Sequence, residues 1–478
     1  MCTSWNEGNY ARHALFTLDF FRRLIQFSLI GVFGTGLVAF SLFEGAHMYV
    51  EKVELAPEQD GETQRWEWDL EAERWTGGRD GGTDSGLGFK GRHAVRAAFM
   101  SLNWGVGSSK VVEKHGGSGT VNTIDAPLEY AQEYLNIAYN IAQSKEASGS
   151  RLRPETVAEI LARRADAIER MGTPETLFEA RAEYQHVWAR LSANTPDAAR
   201  IALKLGDLNN RLGNTQDALL WWSRSIHLID GHSDNHPPVP VIPASPPASP
   251  YLQRTLASAL VSLSAFYATS GQLHQAEIVQ NSALGLLREA PVKPLSGGSA
   301  PERLHGLYLL HRSSLLSIHH AEVLYALRKP LDSSIGWLTK AAKSSEQVAL
   351  ALTGLPPTHP DAPQSKIPHP PASEAPLLTA YSKSQSMKKP ARNLLRDARR
   401  SAAEAWNLVG ILTEKKGDIG AINDALECYE RALGWAGVAA DKAGGIGRAG
   451  EGVLDAEWAA LWGNYVRVKE AVHKPHKA

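Results

Sequence analysis

The polar and apolar positions fall into two regimes. From Leu24 to Phe43 no residue is charged, and Arg22-Arg23 and Glu44 close the run on its two sides. Twenty residues at a helical rise of 1.5 Å cover about 30 Å, the thickness of a bilayer's hydrocarbon core. The run predicts one transmembrane helix over 24–43, behind a short head at 1–23. Its length, and Leu42-Phe43-Glu44 at its end, favour an uncleaved anchor over a signal peptide, whose apolar stretch is shorter and ends on small residues. From Ala126 onward apolar and small residues return every three or four positions, the helical period. No run alternates with period two for long, so strand content should be near zero. Pro and Gly clusters at 237–250, 291–301, 356–376 and 437–452 interrupt the helices.

The segments between and beyond differ in composition. Residues 44–125 read as an acidic stalk carrying Trp66, Trp68 and Trp75, then Gly77-Gly78, Gly81-Gly82 and a flexible insert from Gly105 to Gly119. Two placements fit the tryptophans: docked on the helical domain, or at a membrane surface. Residues 126–435 read as one helical domain with Pro-rich insertions, and 436–478 as a Gly-rich linker and a last helix.

Charge sets orientation and excludes partners. Arg12, Arg22 and Arg23 precede the span, and mostly carboxylates follow it; the basic side stays in the compartment of origin. The whole chain of 478 residues carries a net charge of −1, which argues against nucleic acid as a partner. Two distant cysteines, Cys2 and Cys428, give neither a disulfide framework nor a zinc spacing. No phosphate loop, His-Glu-x-x-His or Gly-x-Ser-x-Gly occurs. Gly445–Gly450 fits G-x-G-x-x-G but follows no strand, and reads as linker. His311, His319, His320 and Glu322 read as packed or surface residues rather than metal ligands. No catalytic, cofactor or metal site is expected, and no small-molecule substrate.

Inside the helical domain a unit recurs. Leu205-Gly206, Gly213, then Ala218, Trp222 and Ser225 form one copy. Leu263, Tyr267, Gly271, Ala276, Gln280 and Ala283 form a second with the same intervals. Ala321, Tyr325, Ser334, Leu338 and Ala341 form a weaker third. Trp406, Val409, Gly410, Ala425, Tyr429 and Ala432 form a fourth, with extra residues in its turn. Thr156 to Leu191 gives a further helix pair upstream. This pattern resembles the tetratricopeptide repeat, a pair of antiparallel helices of about 34 residues that stacks into a superhelix. The resemblance implies an all-α fold: a tetratricopeptide-like α-solenoid of stacked hairpins behind one transmembrane helix.

The resemblance also implies that the first helices line a protein-binding groove. The groove positions carry over to Arg200, Asp207, Asn210 and Arg211, to His319, and to Glu404, Asn407, Glu414 and Lys415. The Tyr267 copy offers only Ser258, Val261, Ala265 and Thr269. Leu203 stands where a chaperone-tail clamp has a lysine, so that specificity is not expected. Head, span, acidic stalk and irregular repeats together resemble the fungal tetratricopeptide adaptor subunits of the i-AAA protease of the mitochondrial inner membrane. That likeness implies a single-pass protein with its C-terminal domain in the intermembrane space, whose partners are an AAA protease and its substrates. An assembly factor for a mitochondrial membrane complex, and a scaffold or tether of the endoplasmic reticulum or outer mitochondrial membrane, are the alternatives.

Overall fold

The computed structural model describes residues 7–71, 74–105, 111–115, 121–191, 195–231, 239–289, 298–355, 376–417, 420–437 and 455–473. In chain order its helices are α1 (Glu7–Tyr49), α2 (Gly61–Arg65), α3 (Trp68–Glu71), α4 (Gly88–Trp104), α5 (Ala126–Ala147), α6 (Thr156–Met171), α7 (Pro174–Arg190), α8 (Pro196–Arg211), α9 (Thr215–Ile229), α10 (Pro250–Thr269), α11 (Leu273–Glu289), α12 (Ala300–Ala326), α13 (Leu331–Thr353), α14 (Thr379–Ser382), α15 (Gln385–Lys416), α16 (Ala421–Trp435) and α17 (Asp455–His473). The fold is helical, as the period requires. One exception among the described residues is an antiparallel strand pair, Val111–His115 with Val121–Asp125. It falls partly in the segment read as a flexible insert. Val111-Val112, Val121, Thr123 and Ile124 supply β-branched residues that favour an extended backbone.

The apolar run is part of a longer helix than expected. α1 is continuous from Glu7 to Tyr49 and runs on as a π-helical turn, Val50–Glu54, because nothing at Glu44 breaks a helix. Its best window has a mean hydropathy of 1.8, and none of it is buried. One described helix is thus long and apolar enough to cross a membrane.

The chain divides into two compact units, and they cut across the domains read from sequence. The first comprises Met1–Pro57 and Trp75–Ile160. Here α5, assigned from sequence to the repeats, packs instead on α4. Trp75 is buried against Phe99. Thr83 donates to Glu51, which Arg92 also holds at 2.8 Å. Thr156 and the Arg153 backbone both donate to Asp84.

The second unit comprises Glu58–Arg74 and Leu161–Ala478. Pairs form between α8 and α9, α10 and α11, α12 and α13, and α15 and α16. Turns as short as Leu212 to Asn214 make such partners antiparallel. Each pair also meets the next: α8, α10, α12 and α15 touch in succession, and α9, α11 and α13 each touch the first helix that follows. Two large apolar clusters lie along these helices, and α12 contributes to both. α12 gives Leu316 and Val323 to the cluster of α8 to α11, and Leu304, Leu307 and Ile318 to that of α13, α15 and α16.

Gly206 explains one crossing. A Cβ there would lie 2.4 Å from Cδ1 of Trp222, so only glycine lets α8 approach that ring. Gly410 meets Tyr429 in the same way in the last pair. In the second pair Ser264 and Gln280 stand at the same interval and are joined by a hydrogen bond of 3.0 Å.

The segment 58–74, read as part of a stalk, is a strap on this unit. Its carboxylates sit on successive N-cap serines: Ser384 of α15 donates to Glu58, Ser299 of α12 to Glu62, and Ser249 of α10 to Glu67. Each of these serines also accepts a backbone N–H from its own helix. Carboxylates there complement the positive ends of three helix dipoles. Arg74 completes the series by pairing with Asp197 in the first turn of α8. Trp68 is buried, donates to the Pro301 carbonyl at 3.0 Å, and lies under the Arg254 guanidinium. Of the two placements open for the tryptophans, Trp66 and Trp68 take the one on the helical domain.

Candidate protein-binding groove

The successive first helices α8, α10, α12 and α15 bring polar side chains together between neighbours. Ser258 of α10 and Tyr308 of α12 share a hydrogen bond of 2.8 Å, and Arg312 donates to the same tyrosine hydroxyl at 3.1 Å. Ser264 of α10 meets His319 of α12 at 3.3 Å. Lys415 of α15 reaches the Tyr325 hydroxyl and lies over its ring. Burial opposes the charge of Arg312, but Tyr308 and Asp397 outweigh it and raise its pKa. Burial raises Glu322, and neighbouring Glu404 adds to the effect.

The nine positions predicted from sequence have different fates. Glu71 of the strap pairs with Arg200 at 3.6 Å, so this arginine serves the protein's own acidic segment. Burial works against its charge, but Tyr251 and Glu71 together raise its pKa. Asp207 is turned inward: Trp222 Nε1 donates to it at 3.0 Å, and burial raises its pKa against hydrogen bonds from Ser262 and Trp222. Arg211 pairs with Glu169 at 3.2 Å. His319 is pushed down to about 4 by burial. Asn407 accepts from Asn464, and Glu414 is held by Tyr429 and Arg467. Asn210, Glu404 and Lys415 are exposed on the first helices. The structure therefore brings these residues onto one succession of helices, while most of the charges are used within the protein.

Sequence reasoning missed three features. One is the strap's Glu58, Glu62, Glu67 and Glu71. Their signal was a run of carboxylates at short intervals, matched by three Ser-initiated helices downstream. Another is Arg254, buried, which binds Glu71 at 2.8 Å and the Trp66 and Glu67 carbonyls. The third is Glu346, a buried carboxylate of α13 that accepts from the indoles of Trp406 and Trp435 and pairs with Arg431. An isolated carboxylate among helical residues gives no sequence signal for such a role.

No group of three or more His, Cys, Asp or Glu among the described residues is arranged to hold a metal ion. His311 and His320 are buried, His311 against Ser401 and His320 against Gln280. Burial pushes the Cys428 thiol up to about 12, as for a packed rather than a reactive cysteine. The Gly445–Gly450 run and much of the Pro-rich insertions lie outside the described residues. No protein-family model matches the chain, and no curated protein matches it.

Proposed function

We propose that this chain is a single-pass, membrane-anchored adaptor that binds other proteins through a tetratricopeptide-like stack and catalyses no reaction itself. The observation that carries this reading is the succession α8, α10, α12, α15. A stack whose first helices follow one another offers an extended surface, which suits a peptide or a partner helix. The paired contacts Gly206–Trp222 and Gly410–Tyr429 support it, because the same small-to-aromatic crossing recurs in the first and last pairs.

The anchor and the resemblance to fungal i-AAA adaptors extend the proposal. The protein sits in the mitochondrial inner membrane through Leu24–Phe43, with its helical domain in the intermembrane space. There it captures misassembled membrane proteins and raises their concentration beside an AAA protease, since tethering makes the second encounter intramolecular.

Proximity labelling from a C-terminal fusion in intact cells, read by mass spectrometry, tests this. Labelling of intermembrane-space proteins together with an AAA protease is the expected result. Labelling dominated by cytosolic or endoplasmic-reticulum proteins would refute the location and the protease partner. A protein complex missing from the deletion strain, with normal substrate turnover, would favour an assembly factor instead.

A further inference from the structure

The first unit carries exposed aromatic residues where the apolar run ends. Phe43 is the last residue of that run. Its ring lies 5.9 Å from His93 of α4 and 4.5 Å from His47. The ring of Phe89, at the start of α4, lies 3.9 Å from His93. Phe89 is thus linked to Phe43 by way of His93, yet it is 68% exposed. At the other end of α4, Trp104 lies 6.0 Å from Tyr49, and both are exposed.

Helix geometry sets the depth of these rings. From 43 to 49 α1 rises about 9 Å, whereas α4 is about 22 Å long from 89 to 104. α4 therefore runs obliquely away from the end of the span. With the hydrocarbon core taken to end at Phe43, Phe89 comes near its boundary and Trp104, beside Tyr49, comes to the outer margin of a headgroup layer about 5–7 Å deep. Exposed aromatics at this depth match the belt that amphipathic rings form at membrane interfaces.

Charge at the same place fits phospholipid. Lys90 is exposed beside Phe89. Lys145 Nζ comes within 3.6 Å of where a Cβ at Gly88 would stand. Two carboxylates of α1 and the turn that follows it are engaged within this unit: Glu44 by His93 at 3.0 Å, and Glu51 by Arg92 and Arg96.

We propose that the N-terminal end of α4 is seated in the lipid headgroup layer, with Phe89 as its apolar anchor and Lys90 and Lys145 facing phosphate groups. The bilayer contact then extends beyond the span and fixes the tilt of α4. This inference rests on reading Leu24–Phe43 as membrane-spanning, and the test separates the two.

The full chain, with Cys2→Ser and Cys428→Ala, is reconstituted into phosphatidylcholine vesicles containing a minority of phosphatidylglycerol. An environment-sensitive fluorophore is attached at Phe89→Cys or, as a comparison, at Ile278→Cys, an exposed position on α11. The expected result is a blue-shifted label at 89, quenched by lipids spin-labelled near the headgroup and several-fold less by aqueous iodide than the label at 278. Should Phe89→Cys fail to fold, Lys90→Cys gives the same reading one residue on. Alkaline extraction reports the span by itself. A chain that resists extraction but shows equal iodide quenching at 89 and 278 overturns the headgroup contact alone. A chain that is extracted overturns the span and this inference together.

Discussion

A Cβ added at Gly206 meets Trp222 at 2.4 Å, whereas one added at Gly336 of α13 meets nothing within 4 Å. Both glycines lie inside helices, so they isolate packing from propensity. Gly206→Ala should cost about 1–3 kcal/mol, because the ring is fully buried and cannot retreat. Gly336→Ala should stabilise by about 0.5–1 kcal/mol through helix propensity alone. Denaturant midpoints of the two variants against the parent check this, and equal effects would refute the close crossing. Gly206 was legible in the sequence because the Leu205-Gly206 pair, Gly213, Ala218 and Trp222 stand at intervals that Leu263, Gly271, Ala276 and Gln280 repeat. Glu346 was not, since nothing nearby marks it. Its burial with Arg431, Trp406 and Trp435 gives a different expectation. Glu346→Ala leaves a largely buried guanidinium without its carboxylate, and should cost about 3–5 kcal/mol. The double variant Glu346→Ala, Arg431→Met should recover part of that loss in the same measurement. A double variant no more stable than the single one would count against an ion pair at this site.

At the scale of elements, the helices were readable because apolar and small residues return at the helical period, and several helices also open on a capping side chain. Ser249-Pro250, Ser299-Ala300-Pro301 and Ser384 announce the starts of α10, α12 and α15. The strap was not readable as a strap. Its partners lie more than 180 residues away for Glu67 and more than 320 for Glu58, and no local pattern encodes pairing at that range. The acidic residues after the span therefore passed as a solvated stalk. The position of α5 was missed for a related reason: its period fits a repeat helix, and only its partner, α4, distinguishes it. If the strap holds the helix starts, Trp68→Ala should destabilise the second unit by about 3–5 kcal/mol, the usual cost of emptying a large buried aromatic site. Hydrogen exchange should then lose protection first at the opening turns of α10, α12 and α15. Unchanged protection at those turns would show that the strap only decorates the stack.

At the scale of the whole molecule, buried histidines tie stability to pH. Burial pushes His305 and His311 each down to about 3, with Arg254 beside the first and Arg312 beside the second adding repulsion; burial pushes His319 down to about 4. The hydrogen bonds of His305 fit its neutral form. Arg254 donates to Nδ1, so Nε2 carries the proton and donates to Gln253. In the unfolded chain these histidines titrate near 6.5. Between about pH 6.5 and their folded values the unfolded state binds more protons, so stability falls as pH falls. Each histidine contributes a slope of up to about 1.4 kcal/mol per pH unit below its unfolded pKa. Asp207 and Glu322, raised by burial, act in the opposite sense: their folded forms take up protons before the unfolded chain does. They offset part of the acid loss below their folded pKa values, while the three histidines act together from about pH 6.5 downward. Urea unfolding at about pH 7 and about pH 5 should therefore show a marked acid loss. In His305→Gln that loss should shrink by up to about 1.4 kcal/mol per pH unit, because glutamine keeps a hydrogen-bonding amide but cannot titrate. A parent whose stability is flat over this interval, or a variant with the parent's slope, would mean that His305 charges freely in the folded state and is not enclosed as described.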